Sequence, residues 1–434
     1  MKEGLRKISY DLYLIVLGTL AFFSFTGKID DYILLIYVGI AFLVIIAKKS
    51  VFYILPISFF MTMSTNMLRD DITAITIFII IILVIMAIDT IRNRNFTKIG
   101  YLFLPFLALI ILSVFSSMNA VDGFTPLVGF VLAIAMALFY VYFINTIQRS
   151  NENYAKVAKM FMYLAVVVTM QMLHQVNLQE DAIQFIQRRR INLEWENLNI
   201  IIYVNLIAIP FVAYLITKVK VKLPYMILGL IITIGIFLTL SRSSILTVGV
   251  YILILVPLVL KLEKDKMLLI IQGLVLFLII VIGIFFLERY NYVISDVIRA
   301  ITSREWTKTE DRTVLLEVAI EQFKLHPIFG SGGLYSSAAH LEAYSARNYH
   351  NIIARTSSLG VLGFITVALL FIRKTKLIML SNSSFKWFAL VMIYVTAFVN
   401  GMFQPMYFYT TYMIYMILVL AVIEVNIKGS IKRI

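Results

Sequence analysis

Apolar residues recur in runs of roughly 18 or more along the whole chain, separated by short polar punctuation. Each run is long enough to cross about 30 Å of hydrocarbon. The pattern predicts spans at about 10–27, 32–47, 51–67, 72–91, 99–117, 124–144 and 156–176, then at about 198–217, 223–240, 243–261, 267–287, 350–372, 385–403 and 405–426. A helix satisfies its own backbone in hydrocarbon, so the expected fold class is an all-α polytopic membrane protein with about 14 transmembrane helices. Residues 1–434 read as a single integral membrane domain, without internal repeats or low-complexity tracts. The first run, Tyr10 to Phe25, lacks a small-residue cleavage site and reads as a retained helix.

Two polar stretches are too long for ordinary turns: residues 177–197, and residues 288–349, which no span accounts for. Long connections with their own sequence character usually carry function. Within the larger one, Glu310 to Leu325 places Leu315, Leu316, Ala319, Ile320 and Phe323 on one helical stripe, with Glu317, Glu321 and Lys324 opposite. This predicts an amphipathic helix lying on the bundle or the membrane surface. Glu310 and Asp311 suit its positive first turn, and Pro327 with Gly330 to Gly333 ends it.

Composition agrees: 61% of the 434 residues are apolar and 14% charged, against about half and a quarter in soluble proteins. The formal charge of +14 does not indicate a nucleic-acid partner, because the basic residues punctuate the ends of apolar runs instead of gathering on one face. Most of the 38 Lys and Arg residues fall in alternate segments, and the short loops between hold only Lys28, Arg69 and Arg242. That asymmetry places both termini in the cytoplasm and the two long segments outside. With no cysteine, thiolate nucleophiles, disulfides and thiolate metal sites are excluded.

A few residues could carry chemistry. The apolar stretch from Leu223 to Leu260 would make one helix of about 57 Å, so it must break at Ser241-Arg242-Ser243-Ser244. Arg242 then lies at the outer edge of the bundle, either snorkelling to the interface or serving an anionic ligand. Arg312 stands in the first turn of the loop helix, where a cation is unwelcome unless it pairs with Glu310 or Asp311 or with a bound phosphate. His350, within Arg347-Asn348-Tyr349-His350-Asn351, is either a packing residue or a general base for a hydroxyl. Arg188, Arg189 and Arg190 form a solvated cluster or a contact to lipid phosphate. Four dispersed histidines and the lack of an Asp-x-Asp pair give no metal-ligand spacing.

The order of these features resembles the O-antigen ligase and polymerase superfamily of integral membrane glycosyltransferases. The marks are Leu240-Ser241-Arg242-Ser243 at a span end, Arg312-Thr313 opening a loop helix, His326-Pro327-Ile328-Phe329-Gly330-Ser331-Gly332 closing it, and His350-Asn351 leading into a span with Gly360-Val361-Leu362-Gly363. Where family members often carry an acidic residue before the first of those glycines, this chain has Ser357-Ser358-Leu359. The resemblance implies a GT-C-like glycosyltransferase in the cytoplasmic (inner) membrane of a bacterium, with its active site on the extracytoplasmic face. It implies that Arg242 and Arg312 bind the pyrophosphate of an undecaprenyl-diphosphate-linked glycan donor and that His350 activates the acceptor hydroxyl. Arg347, Asn351, Arg189, Gly330 and Gly332 are then substrate-binding candidates, with no cofactor or metal required. The acceptor is a second lipid-linked glycan, and chain-length regulator proteins are the implied protein partners. Arginine stays charged and grips phosphate bidentately, which suits a metal-independent transfer. A ligase of the same architecture is the close alternative, and a lipid-linked oligosaccharide flippase is the alternative from another class.

Overall fold

A computed structural model describes residues 9–27, 51–64, 98–119, 124–180, 182–187, 198–291, 310–332, 352–402 and 410–427, with a few isolated positions between them. Its helices in chain order are α1 (Tyr10–Phe25), α2 (Val51–Thr62), α3 (Phe103–Ser117), α4 (Phe124–Thr146), α5 (Glu152–Asn177), α6 (Ala182–Gln187), α7 (Leu198–Ile216) and α8 (Leu223–Leu238). There follow α9 (Arg242–Leu262), α10 (Lys266–Asn291), α11 (Glu310–Leu325), α12 (Ile352–Ser357), α13 (Gly360–Met379), α14 (Phe385–Leu390) with a π-helical continuation Val391–Asn400, and α15 (Thr410–Asn426). Among the described residues the fold is all-helical. Four of those helices are long and apolar enough to cross a membrane, within residues 129–146, 152–177, 242–262 and 266–283. Seven shorter apolar helical stretches accompany them. The spans expected at 32–47 and 72–91 lie largely outside the described residues.

The chain divides into two compact units, Met1–Ile91 with Glu152–Trp306, and Arg92–Asn151 with Thr307–Ile434. In the first, α5 is the central helix, packed by α1, α2, α7 and α8. Small residues let the backbones approach: a Cβ on Gly235 would stand 2.4 Å from Thr169 Oγ1 and 2.7 Å from Asn205 Nδ2. Two buried amide side chains inside this unit find partners, which lowers the cost of placing them there. Asn205 Nδ2 donates to Thr169 Oγ1 (3.2 Å) and Gln171 Nε2 donates to the Met63 carbonyl (2.9 Å). At the periphery, α10 is apolar all round, and only 6% of its most apolar stretch is buried. Leu274, Phe277, Leu278, Ile282 and Phe285 are all exposed. A surface of that kind is stable only when covered, by lipid or by another apolar surface.

In the second unit α3 pairs with α4 and α13, and α15 packs on α4 and α13. A polar knot ties one end together. The Glu424 carboxylate accepts the Tyr101 N–H (2.8 Å) and the Tyr140 hydroxyl, while Arg373 Nη1 donates to the Tyr101 carbonyl (3.0 Å). Lys374, which the sequence places in a loop, lies instead inside α13. It is wholly buried, with Nζ 3.6 Å from Met416 Sδ and 4.0 Å from the centre of the Phe371 ring. Its long stem packs as an apolar residue, which a count of charges along the sequence does not register.

Candidate active site

The first candidate cation sits where the stretch from Leu223 to Leu260 breaks. Helix α8 ends at Leu238 and α9 begins at Arg242. The reversal is made by Leu240, whose φ of +47° lies in the left-handed region that side chains avoid. Hydroxyls surround it. Thr239 Oγ1 donates to the Ile236 carbonyl (2.7 Å) and accepts the Ser241 N–H (3.2 Å), and Ser244 Oγ donates to Ser241 Oγ (2.9 Å). Ser241 therefore occupies the N-cap with an extended backbone while its hydroxyl makes no cap bond. Arg242 is the first helical residue and half-buried. Its charge stands at the positive end of the α9 dipole, an arrangement that an anion would relieve. Residues held in sparsely populated backbone conformations concentrate at functional sites.

In the second unit the structure brings the carrier of Arg312 against the segment that follows His350. Leu315, Val318 and Ala319 of α11 close over Ala354 of α12. This corrects the stripe expected from sequence: Val318 is buried and Ile320 is 46% exposed. The surface offered to α11 is a helix of only six residues with the Phe364 ring beside Phe323. Contact therefore follows the narrow 315-318-319 ridge instead of a full apolar face. Arg312 stands one turn before Leu315, also in a first helical turn, and the structure describes its backbone but not its side chain. Helix α12 is anchored at its start, where the Ile352 N–H donates to the Gly401 carbonyl (3.0 Å) at the end of the π-helical segment. His350, Arg347, Asn351 and Arg189 lie outside the described residues.

The span expected over 350–372 is in fact two helices, α12 and α13, and the joint between them forms a clamp with the segment that closes α11. Gly330 and Gly360 both adopt left-handed backbone, φ +72° and +68°. They face each other so closely that a Cβ on Gly330 would lie 2.1 Å from the Ser358 carbonyl oxygen, and one on Gly360 2.2 Å from the Ile328 carbonyl oxygen. Val361 N–H donates to the Pro327 carbonyl (2.8 Å) and Gly332 N–H to the Ser116 carbonyl (3.1 Å). Ser116 Oγ donates to the Ser358 carbonyl (2.7 Å) and Asn119 Nδ2 to the Gly330 carbonyl (3.0 Å). The glycines named as substrate-binding candidates thus stand in a backbone clamp that fixes α11, α13 and α3 to one another.

Sequence reading missed Arg355. It lies on α12 five residues after His350 and is 1% exposed, making it one of the largest fully buried side chains. The signal was available, since a lone arginine inside an apolar run is a functional candidate by default.

Residues 227–368, about a third of the chain, match a family model described as O-antigen ligase. No curated protein and no solved structure matches the chain. The matched segment begins before Arg242 and ends after Gly363, so it encloses the break at Leu240, helix α11 and the Gly330–Gly360 contact. Members of this family are glycosyltransferase-like membrane enzymes. Over residues 227–368 the chain is therefore similar to the O-antigen ligase family.

Proposed function

We propose that this protein is a polysaccharide polymerase, transferring a glycan chain from undecaprenyl diphosphate to a lipid-linked repeat unit at the outer face of the bacterial inner membrane. About fourteen spans with both termini cytoplasmic would carry the two long segments to that face. The observation that carries the reading is the seating of the Arg312 helix on the helix that follows His350, locked by the Gly330–Gly360 clamp. The helix that carries Arg312 and the helix that begins two residues after His350 are thereby held together, which favours the positioning that catalysis needs.

In the reaction, Arg242 and Arg312 bind the donor's diphosphate. His350 Nε2 or Nδ1 takes the proton from an acceptor sugar hydroxyl, whose oxygen forms the new bond to the anomeric carbon. The bond from that carbon to the diphosphate oxygen breaks, and undecaprenyl diphosphate leaves with its added negative charge neutralised by the two guanidinium groups. Fixed cations suit this leaving group because their charge needs no proton movement and their donors match phosphate oxygens in pairs.

The family's description as O-antigen ligase favours a second reading, transfer to a different acceptor. Incubating the purified protein in liposomes with lipid-linked repeat units alone separates the two. A ladder of lengthening chains is the expected outcome. Product only after a second acceptor is added would establish the ligase, and no transfer to any acceptor would overturn both.

A further inference from the structure

The first unit contains a half-open cavity of about 500 Å³ lined by α7, α8, α9 and α10. Its walls include Val212, Gly229, Val248, Tyr251, Leu255 and Gly273. Thr233 and Tyr251 carry the hydroxyls of an otherwise aliphatic wall, and that of Thr233 already donates to the Gly229 carbonyl (2.8 Å), so the walls offer an occupant mostly hydrocarbon contact. Gly273 keeps the space open: a Cβ there would meet nothing within 4 Å.

The cavity runs along the helix that Arg242 begins. Val248 is six residues below Arg242 and Leu260 eighteen, so the lining extends from about 9 to about 27 Å along α9 at 1.5 Å per residue. At its far end the loops are closed by the buried ion pair of Lys222 and Glu263 (3.5 Å). An occupant whose anionic head rests at Arg242 therefore needs a chain of nearly the full hydrocarbon thickness of about 30 Å. The acyl chains of an outer-leaflet phospholipid reach about half of that, whereas a long polyprenyl chain covers it.

We propose that this cavity holds the distal isoprene units of the donor's polyprenyl chain, making it a chain-length gauge for the lipid carrier. The inference rests on the donor reading above, with Arg242 as the head-group contact. It assigns a distinct job to the α7–α10 wall: burial of the tail, independent of the sugar and of the transfer step.

The test is binding to the full-length protein in detergent by native mass spectrometry, with undecaprenyl diphosphate, the much shorter farnesyl diphosphate, and dioleoyl phosphatidylglycerol as probes. Gly273→Leu intrudes into the cavity, and Gly273→Ala intrudes less, as a milder check that the protein remains intact. Burial equivalent to about two methylene groups corresponds to roughly ten-fold in affinity. The wild type should prefer the undecaprenyl ligand by at least about ten-fold. Gly273→Leu should bring the two diphosphates within about two-fold of each other while farnesyl diphosphate binding holds, and Gly273→Ala should fall between. An unchanged preference in both variants overturns the proposal. So does a cavity-dependent affinity for phosphatidylglycerol equal to that for undecaprenyl diphosphate, which would make the occupant a phospholipid. Arg242→Ala should weaken both diphosphates alike. If it weakens neither while Gly273→Leu still erodes the preference, the head-group reading fails and the tail site stands.

Discussion

Two helix joints carry the candidate chemistry, and they are made in opposite ways. At Leu240 a full side chain is held in left-handed backbone by its own burial, 3% exposed, and by the Thr239, Ser241 and Ser244 hydroxyls around it. At Gly330 and Gly360 the same backbone region is reached without side chains, because the two segments approach to within van der Waals overlap of any Cβ. The first joint stores strain and tolerates change. The second is a close contact between backbones and tolerates none. The strained joint holds an arginine at a helix start, while the close contact sets the relative positions of three helices.

That contrast orders the expected effects of substitution. Gly330→Ala or Gly360→Ala combines the left-handed penalty with a backbone clash and should cost about 3 kcal/mol or more, read as lost melting temperature or lost folded yield in detergent. Normal melting of either variant would show that the clamp is not closed. Next comes Arg312→Lys, which keeps the charge but loses the paired donors. Polymer synthesis should drop about ten- to hundred-fold with the protein's melting unchanged. Leu240→Gly relieves about 1–2 kcal/mol of backbone strain but gives up a buried side chain worth somewhat more, for a net loss of about 1–2 kcal/mol. A loss as large as that of Gly330→Ala would erase the distinction between the joints. The smallest effect belongs to Ser116→Ala, which removes the bond to the Ser358 carbonyl for about 1 kcal/mol and should leave activity intact.

The two joints also differ in how far they could be read from sequence. The break near Leu240 was legible because no membrane helix runs 38 residues, and α11 was legible over Glu310–Leu325 from its capping acids and its terminal proline. The Gly330–Gly360 contact was not, since thirty residues separate the partners, Gly330 alone reads as a helix-ending turn and Gly360 falls inside an expected span. The same limit explains α11's buried ridge. Periodicity names a face, but the partner decides its width, and the partner is the short α12. Lys374 and Arg355 were misjudged because hydropathy averages over a window and so hides a single buried charge.

The claim on which the functional account depends is that Arg242, Arg312 and His350 serve one transfer reaction. Its most direct test is the glycan chain-length profile of a polymer-forming host whose own polymerase is replaced by this protein, wild type or His350→Ala, with membrane insertion of each verified. The account predicts long chains from the wild type and single repeat units from His350→Ala, a loss of at least about a hundred-fold. Unaltered chain lengths from correctly inserted His350→Ala protein would contradict it.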